Sequence, residues 1–296
     1  WKNKNKEGLM KMKISLKMKV IIGIIIIIVI LVGVYLSGFV RSNFENKKLR
    51  EELVENAQTT DINLDISKYP DLPEPVKRYF IYTFNGKKSI KIKNVFWKEK
   101  GKFKLPISEK YFGIKSAQTS LTTEPKYMWE GLYSNATFKF PVLESRDSFS
   151  IDSHNMRAKA LGTKTVMSTD YTAEQKESLY AYLMLRYYGT ALDFPWALLP
   201  NEYVKWSPID DQHVYLDITY NNLKGRYLVT INEKGQITKL ETPEYMLHGN
   251  SQKLREVGEK SDYKEINGFM IPTHMNYKWY TESNELDSHY EFDIYD

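Results

Sequence analysis

The chain has 296 residues, 14% of them aromatic, with no Cys and a formal charge of +5. The missing Cys excludes disulfides, thiolate metal sites, a Cys nucleophile and a lipid-attachment Cys. The charge is uneven: residues 1–50 hold 11 Lys and Arg against two Glu, a balance of +9 that leaves −4 for the remainder, so the basic character belongs to the start of the chain and nucleic acid is not an indicated partner.

Residues 1–19 read as a short basic tail. Within it, Lys6-Glu7-Gly8 can be encoded by a purine-rich ribosome-binding consensus at the right spacing from Met10. Residues 1–9 are therefore expected to be translated upstream sequence, with the start at Met10 and a bacterial source. Residues 20–40, VIIGIIIIIVILVGVYLSGFV, carry no charge. A helix of this length reaches about 30 Å, the thickness of a bilayer's hydrocarbon core, and a helix is the form that pairs its own backbone groups in lipid. Lys11, Lys13, Lys17 and Lys19 before the span place the N-terminus in the cytoplasm and the rest outside, although Arg41, Lys47, Lys48 and Arg50 vote the other way. Residues 35–40 offer no A-x-A cleavage pattern, so the expectation is an uncleaved single-pass anchor in the cell membrane.

Residues 41–71 read as a juxtamembrane helix and linker, with Phe44, Leu49 and Leu53 as a thin apolar stripe and 58–71 as polar linker. The rest, 72–296, reads as one extracytoplasmic α+β domain. Leu72-Pro73-Glu74-Pro75 opens a short helix over 73–84, with Pro in the first turn and Val76, Tyr79, Phe80 and Thr83 at helical spacing. From Ser89 the period becomes two. Lys100-Gly101 suggests a hairpin turn, and strand-like runs follow at 111–123, 126–133, 136–143 and 148–154. A second helix is expected over 172–188, with Thr172 and Gln175 at capping-box spacing and Gly189 as its C-terminal cap. The last hundred residues read as a meander with turns at Asn221-Asn222, Asn232–Gly235 and Asn267-Gly268, closing on a strand over 287–295 with Tyr290, Phe292 and Ile294 on one face. One-sided alternation favours a twisted antiparallel sheet with one wet face.

Leu72-Pro73-Glu74-Pro75-Val76-Lys77-Arg78-Tyr79, then Ala197-Leu198-Leu199-Pro200 with Trp206 and Asp210, then Gly268-Phe269-Met270-Ile271-Pro272 with Trp279 and Tyr290 together resemble an uncharacterised bacterial family, often membrane-anchored, with no assigned activity. In that family Trp, Pro and Thr precede the Ala; here Trp196 directly precedes Ala197. The hairpin from Tyr227 to Glu241 and the stretch from Lys264 to Pro272 are more loosely similar to the periplasmic lipoprotein-carrier fold. That likeness implies a curved antiparallel half-barrel closed by helices around an apolar cavity.

The sequence contains none of the common nucleotide, zincin or nucleophile-elbow motifs. His154, His213, His248, His274 and His289 are scattered, and no metal or cofactor is expected. The expected function is that of a non-catalytic, membrane-tethered binding domain for an apolar or lipid-like ligand held in the concave face of the sheet. Trp196, Leu199, Trp206 and Tyr187 are the candidate binding residues, and 196–200 the pocket mouth. Two other readings stand beside it: a cell-envelope hydrolase using Asp210 or Asp211, and an envelope sensor or protein-interaction module.

Overall fold

The computed structural model describes residues 15–55, 57–106, 108–135, 137, 139–150, 153–168, 173–246 and 253–295. The basic tail up to Ile14, the Thr172 cap and His248 lie outside these. The span and the juxtamembrane helix are one element: α1 (Leu16–Glu55) runs 40 residues without a break, about 60 Å at 1.5 Å per residue. Among the described residues it is the single helix long and apolar enough to cross a membrane. Its C-terminal half, from Tyr35, lies against the sheet, and of the expected stripe Leu49 and Leu53 are half-buried but Phe44 is not. Phe44 is 71% exposed, while Ser42 and Asn46 are buried. The reason is the surface that α1 meets, which is the charged outer face of the sheet.

The stretch read as linker is partly ordered. β1 (Thr60–Asn63) pairs antiparallel with β2 (Ser89–Ile92), Leu64 is buried, and a 3-10 turn spans Ile66–Lys68. α2 (Glu74–Phe84) follows, with Pro75 in its first turn, and Val76, Tyr79, Phe80 and Thr83 all on the buried face as the spacing predicts. It stops where Asn85 turns left-handed at φ 48°.

Among the described residues thirteen strands then form one antiparallel sheet. The first meander is β3 (Asn94–Lys104), β4 (Tyr111–Leu121), β5 (Tyr127–Ser134), β6 (Pro141–Ser150), β7 (Ser153–Ala160) and β8 (Lys164–Ser168). It grows outward from β3 to an edge at β8. α3 (Ala173–Thr190) and two 3-10 turns, Ala191–Asp193 and Pro195–Leu198, then carry the chain to the other edge. The second meander is β9 (Val204–Pro208), β10 (His213–Tyr220), β11 (Leu223–Ile231), β12 (Ile237–Met246), β13 (Lys253–Ile266), β14 (Phe269–Tyr280) and β15 (Leu286–Ile294). It grows inward until β15 pairs with β3, Tyr290 opposite Phe103 and Phe292 opposite Gly101. The first and last strands of the sheet thus meet in its middle.

Two glycines differ from their sequence reading. Gly101 makes no hairpin turn; β3 runs through it, and a Cβ there would lie 2.0 Å from the Glu291 carbonyl oxygen. Gly189 does not cap α3; it lies inside the helix, where a Cβ would meet the Tyr227 hydroxyl at 2.6 Å. Both positions are glycine because another chain segment comes close. The inner face of the sheet is packed by α2, α3 and the two 3-10 turns over one continuous aromatic core.

Candidate ligand cleft

The β1–β2 pairing brings the segment after β1 back against α2. The Leu64 amide donates to the Lys88 carbonyl at 2.9 Å, and Asp65 caps the 3-10 turn by accepting from the Ser67 amide and hydroxyl. Between this turn and α2 opens a cleft of about 460 Å³ lined by Leu64, Ile66, Tyr69, Phe80, Ile81 and Phe84 among others, within the size range of small-molecule sites. Leu64, Phe80 and Phe84 are fully buried at its floor, and Ile81 stands 66% exposed at its lip.

Three lysines share the lining, Lys77, Lys87 and Lys88. Lys77 is paired with Glu74 at 2.9 Å. Lys87 lies 5.2 Å from the centre of the Phe269 ring, and among the described residues no carboxylate comes within ion-pair distance of Lys87 or Lys88. The one acid in the lining, Asp65, is turned to the Ser67 hydroxyl and amide, which together hold its carboxyl below the usual carboxylate range. Lys88 acts on Asp65 through its charge alone, and an apolar floor with two ammonium groups outside ion-pair distance of a carboxylate suits an amphiphile with an anionic head. A second cleft, about 260 Å³ between α3 and Asn222–Lys224, has a more polar lining that includes Glu177, Lys224 and Lys253.

The structure places Tyr187, Trp196 and Leu199 in the core and Trp206 half-buried against it, none in the lining of either cleft. Two stand directly behind the first one. The Trp206 ring is 6.4 Å from Phe80, and its indole donates to the Leu198 carbonyl at 2.9 Å. Trp196 lies 5.1 Å from Phe269, which is 6.3 Å from Phe84. Leu199 is buried. Tyr187 is farther off, with its hydroxyl on the Leu121 carbonyl at 2.7 Å and its ring against Phe194. Asp210 is occupied by its own turn. It accepts from the Gln212 amide at 2.8 Å, the His213 amide at 2.7 Å and the His213 ring at 2.9 Å, which hold its carboxyl below the usual range. The Asp211 carbonyl accepts from Arg78.

Sequence reasoning missed a charged interior. Glu99 accepts from the Trp97 indole at 2.7 Å, Ser116 at 2.7 Å and Tyr290 at 2.8 Å. Glu256 accepts from the Trp279 indole at 2.8 Å and the Tyr227 hydroxyl at 3.2 Å. Asp147 holds Arg186 and His154, and Lys260 donates to Tyr277. Asp193, half-buried in the Ala191–Asp193 3-10 turn, has one buried carboxylate oxygen without a hydrogen-bond partner among the described residues. Desolvation pushes its carboxyl well up, with Lys260 partly offsetting this, and desolvation pulls the Lys260 ammonium down. The cations sit over aromatic faces, Lys260 over Tyr277 at 4.2 Å and Arg186 over Tyr127 at 5.1 Å.

Fold and cleft together define an antiparallel-sheet α+β domain carried on a helix able to cross a membrane. The sequence matches the Family of unknown function (DUF6920) over residues 70–296, and the chain belongs to that family. The resemblance drawn from Leu72–Tyr79, Ala197–Pro200 and Gly268–Pro272 to an uncharacterised family is thereby borne out. No curated protein matches the sequence. Among solved structures the chain is similar to a LolA superfamily protein from Nitrosomonas europaea, at 11% identity and a TM-score of 0.38, over 75% of this chain and 90% of that one. A TM-score of that size carries no argument about function.

Proposed function

We propose that this protein is a membrane-tethered, extracytoplasmic binding domain that holds an anionic amphiphile, a lipid-like molecule with a carboxylate or phosphate head, in the cleft between the 64–70 segment and α2. The observation that carries this reading is the pairing of an apolar floor, Leu64, Phe80 and Phe84, with Lys87 and Lys88 in the same lining. The cleft replaces the concave face as the place of binding, because the concave face is filled by its own side chains. Trp196 and Trp206 support the aromatic wall from behind. The Lys-rich segment before the span supports the orientation.

The test is binding of oleate and of neutral mono-olein to the full chain in detergent, read by native mass spectrometry or by competition with a fluorescent fatty acid. Oleate should bind better than mono-olein. Lys87→Glu/Lys88→Glu should weaken oleate by at least tenfold, since two like charges replace two opposite ones at the head, and leave mono-olein unchanged. Equal oleate binding in the variant and the unaltered protein would sink the reading. The hydrolase alternative gains no observation here, because Asp210 is exposed and consumed by its turn.

A further inference from the structure

We infer that two hairpin ends beside α1, residues 139–140 and 161–164, seat the domain on the phospholipid headgroup layer of the membrane that α1 crosses. The inference rests on reading α1 as a span. Its argument is where the contacts fall along that helix. The Tyr35 hydroxyl donates to the Pro141 carbonyl at 2.8 Å. Gly38 and Phe39 lie against Gly162, so closely that a Cβ on Gly38 would meet the Gly162 carbonyl oxygen at 2.5 Å. Farther along, Lys159 donates to Ser42, Arg157 to Glu45, and Arg146 to Asn46.

These contacts run in step. From Tyr35 to Asn46 is about 16 Å of helix, and from Pro141 to Arg146 about 17 Å of strand. β6 and β7 therefore lie alongside α1, and their hairpin ends point down it toward the apolar run. Tyr35, Gly38 and Phe39 all belong to that run, which ends at Val40 before Arg41. A tip that touches them stands at the depth where apolar span gives way to headgroups.

The chemistry of the tips matches that depth. Leu161 is 49% exposed and Phe140 44% exposed, and Lys139 and Lys164 are exposed beside them. Leu161 and Lys139 hold left-handed φ values of 50° and 56°, a conformation a leucine seldom adopts. At this place it turns an apolar side chain outward, at the end of the molecule nearest the bilayer. Apolar side chains at the acyl boundary with lysines reaching the phosphates are the pattern of interfacial anchoring.

The absence of Cys from the sequence makes the test direct. The full chain, reconstituted in vesicles of phosphatidylethanolamine and phosphatidylglycerol, carries one cysteine at a time, labelled with an environment-sensitive fluorophore. The positions are Phe140→Cys, Leu161→Cys, Ile28→Cys within the span, and Thr123→Cys at the opposite end of the strands. Doxyl-labelled lipids then quench each in turn. The expected result is quenching of the Phe140 and Leu161 positions by shallow doxyl groups, about twofold or more above the Thr123 position, with the Ile28 position quenched by deep ones. Quenching at Ile28 but only the Thr123 level at both tips overturns the seating and leaves the span intact. No quenching at Ile28 overturns both.

Discussion

Lys260 is buried and Asp193 half-buried, desolvation opposes the charged form of both, and each biases the other's charge. Taking away one member of such a set leaves its partners buried without a counter-charge, a loss of about 3–5 kcal/mol. Lys260→Met should therefore destabilise the full chain by about that much in urea titrations, although the new side chain is apolar and of similar length. Lys260→Met combined with Asp193→Asn should cost clearly less than the two single changes added together, because the second removes the charge the first strands. Strict additivity would mean that the two groups do not act on each other. Nothing in the local sequence marks these residues. In Lys98-Glu99-Lys100 and Glu259-Lys260-Ser261, charged or polar types occupy both faces of the strand, so period two cannot say that Glu99 and Lys260 are the buried ones.

At the scale of elements, the docking of α1 on the sheet is electrostatic. Glu45 receives Arg157, with Arg41 and Lys159 close by. The hydrogen bond from Arg157, before any other cause, holds its carboxyl at about 2 instead of 4.5. A carboxyl lowered on folding stabilises the docked state above its unfolded pKa and loses that contribution as pH falls through the folded one. The melting temperature of the full chain in detergent should therefore exceed that of Glu45→Gln by a constant margin above pH ~5, and the margin should close as pH approaches 2. A margin that is independent of pH would remove Glu45 from the docking. The helix faces show what periodicity can tell. In α2 the spacing of Val76, Tyr79, Phe80 and Thr83 reads correctly because its partner is an apolar core. In α1 the same reasoning chose Phe44 and missed Ser42 and Asn46, since the partner surface is polar and lies more than eighty residues away. The cleft was hidden for a related reason: 58–71 reads as linker until β1 finds β2.

For the whole molecule, the seam between β3 and β15 decides whether there is one sheet or two. Gly101 stands on that seam opposite Phe292. Gly101→Ala places a methyl against the Glu291 backbone and the Phe292 side chain, neither of which can move without shifting a central strand. The expected cost is about 3 kcal/mol or more, at the upper end for an overpacked site, seen as a lower urea midpoint for the full chain. A midpoint within error of the unaltered protein would show that the seam has slack. Much of the second meander was legible: the turns at Asn221-Asn222, Asn232–Gly235 and Asn267-Gly268 and the inward Tyr290 and Phe292 are local signals that the fold obeys. The seam itself was not, because the sequence shows a glycine between lysines and keeps its reason 190 residues downstream.

That seam also imposes an order on the protein's making. A chain leaving a ribosome or crossing a membrane delivers β3 early and β15 nearly two hundred residues later. Throughout that interval the edge of β3 that will receive β15 offers its amides and carbonyls to any passing strand. Folding cannot finish until Ile294 has cleared the exit, and the waiting edge is a hazard for misassembly.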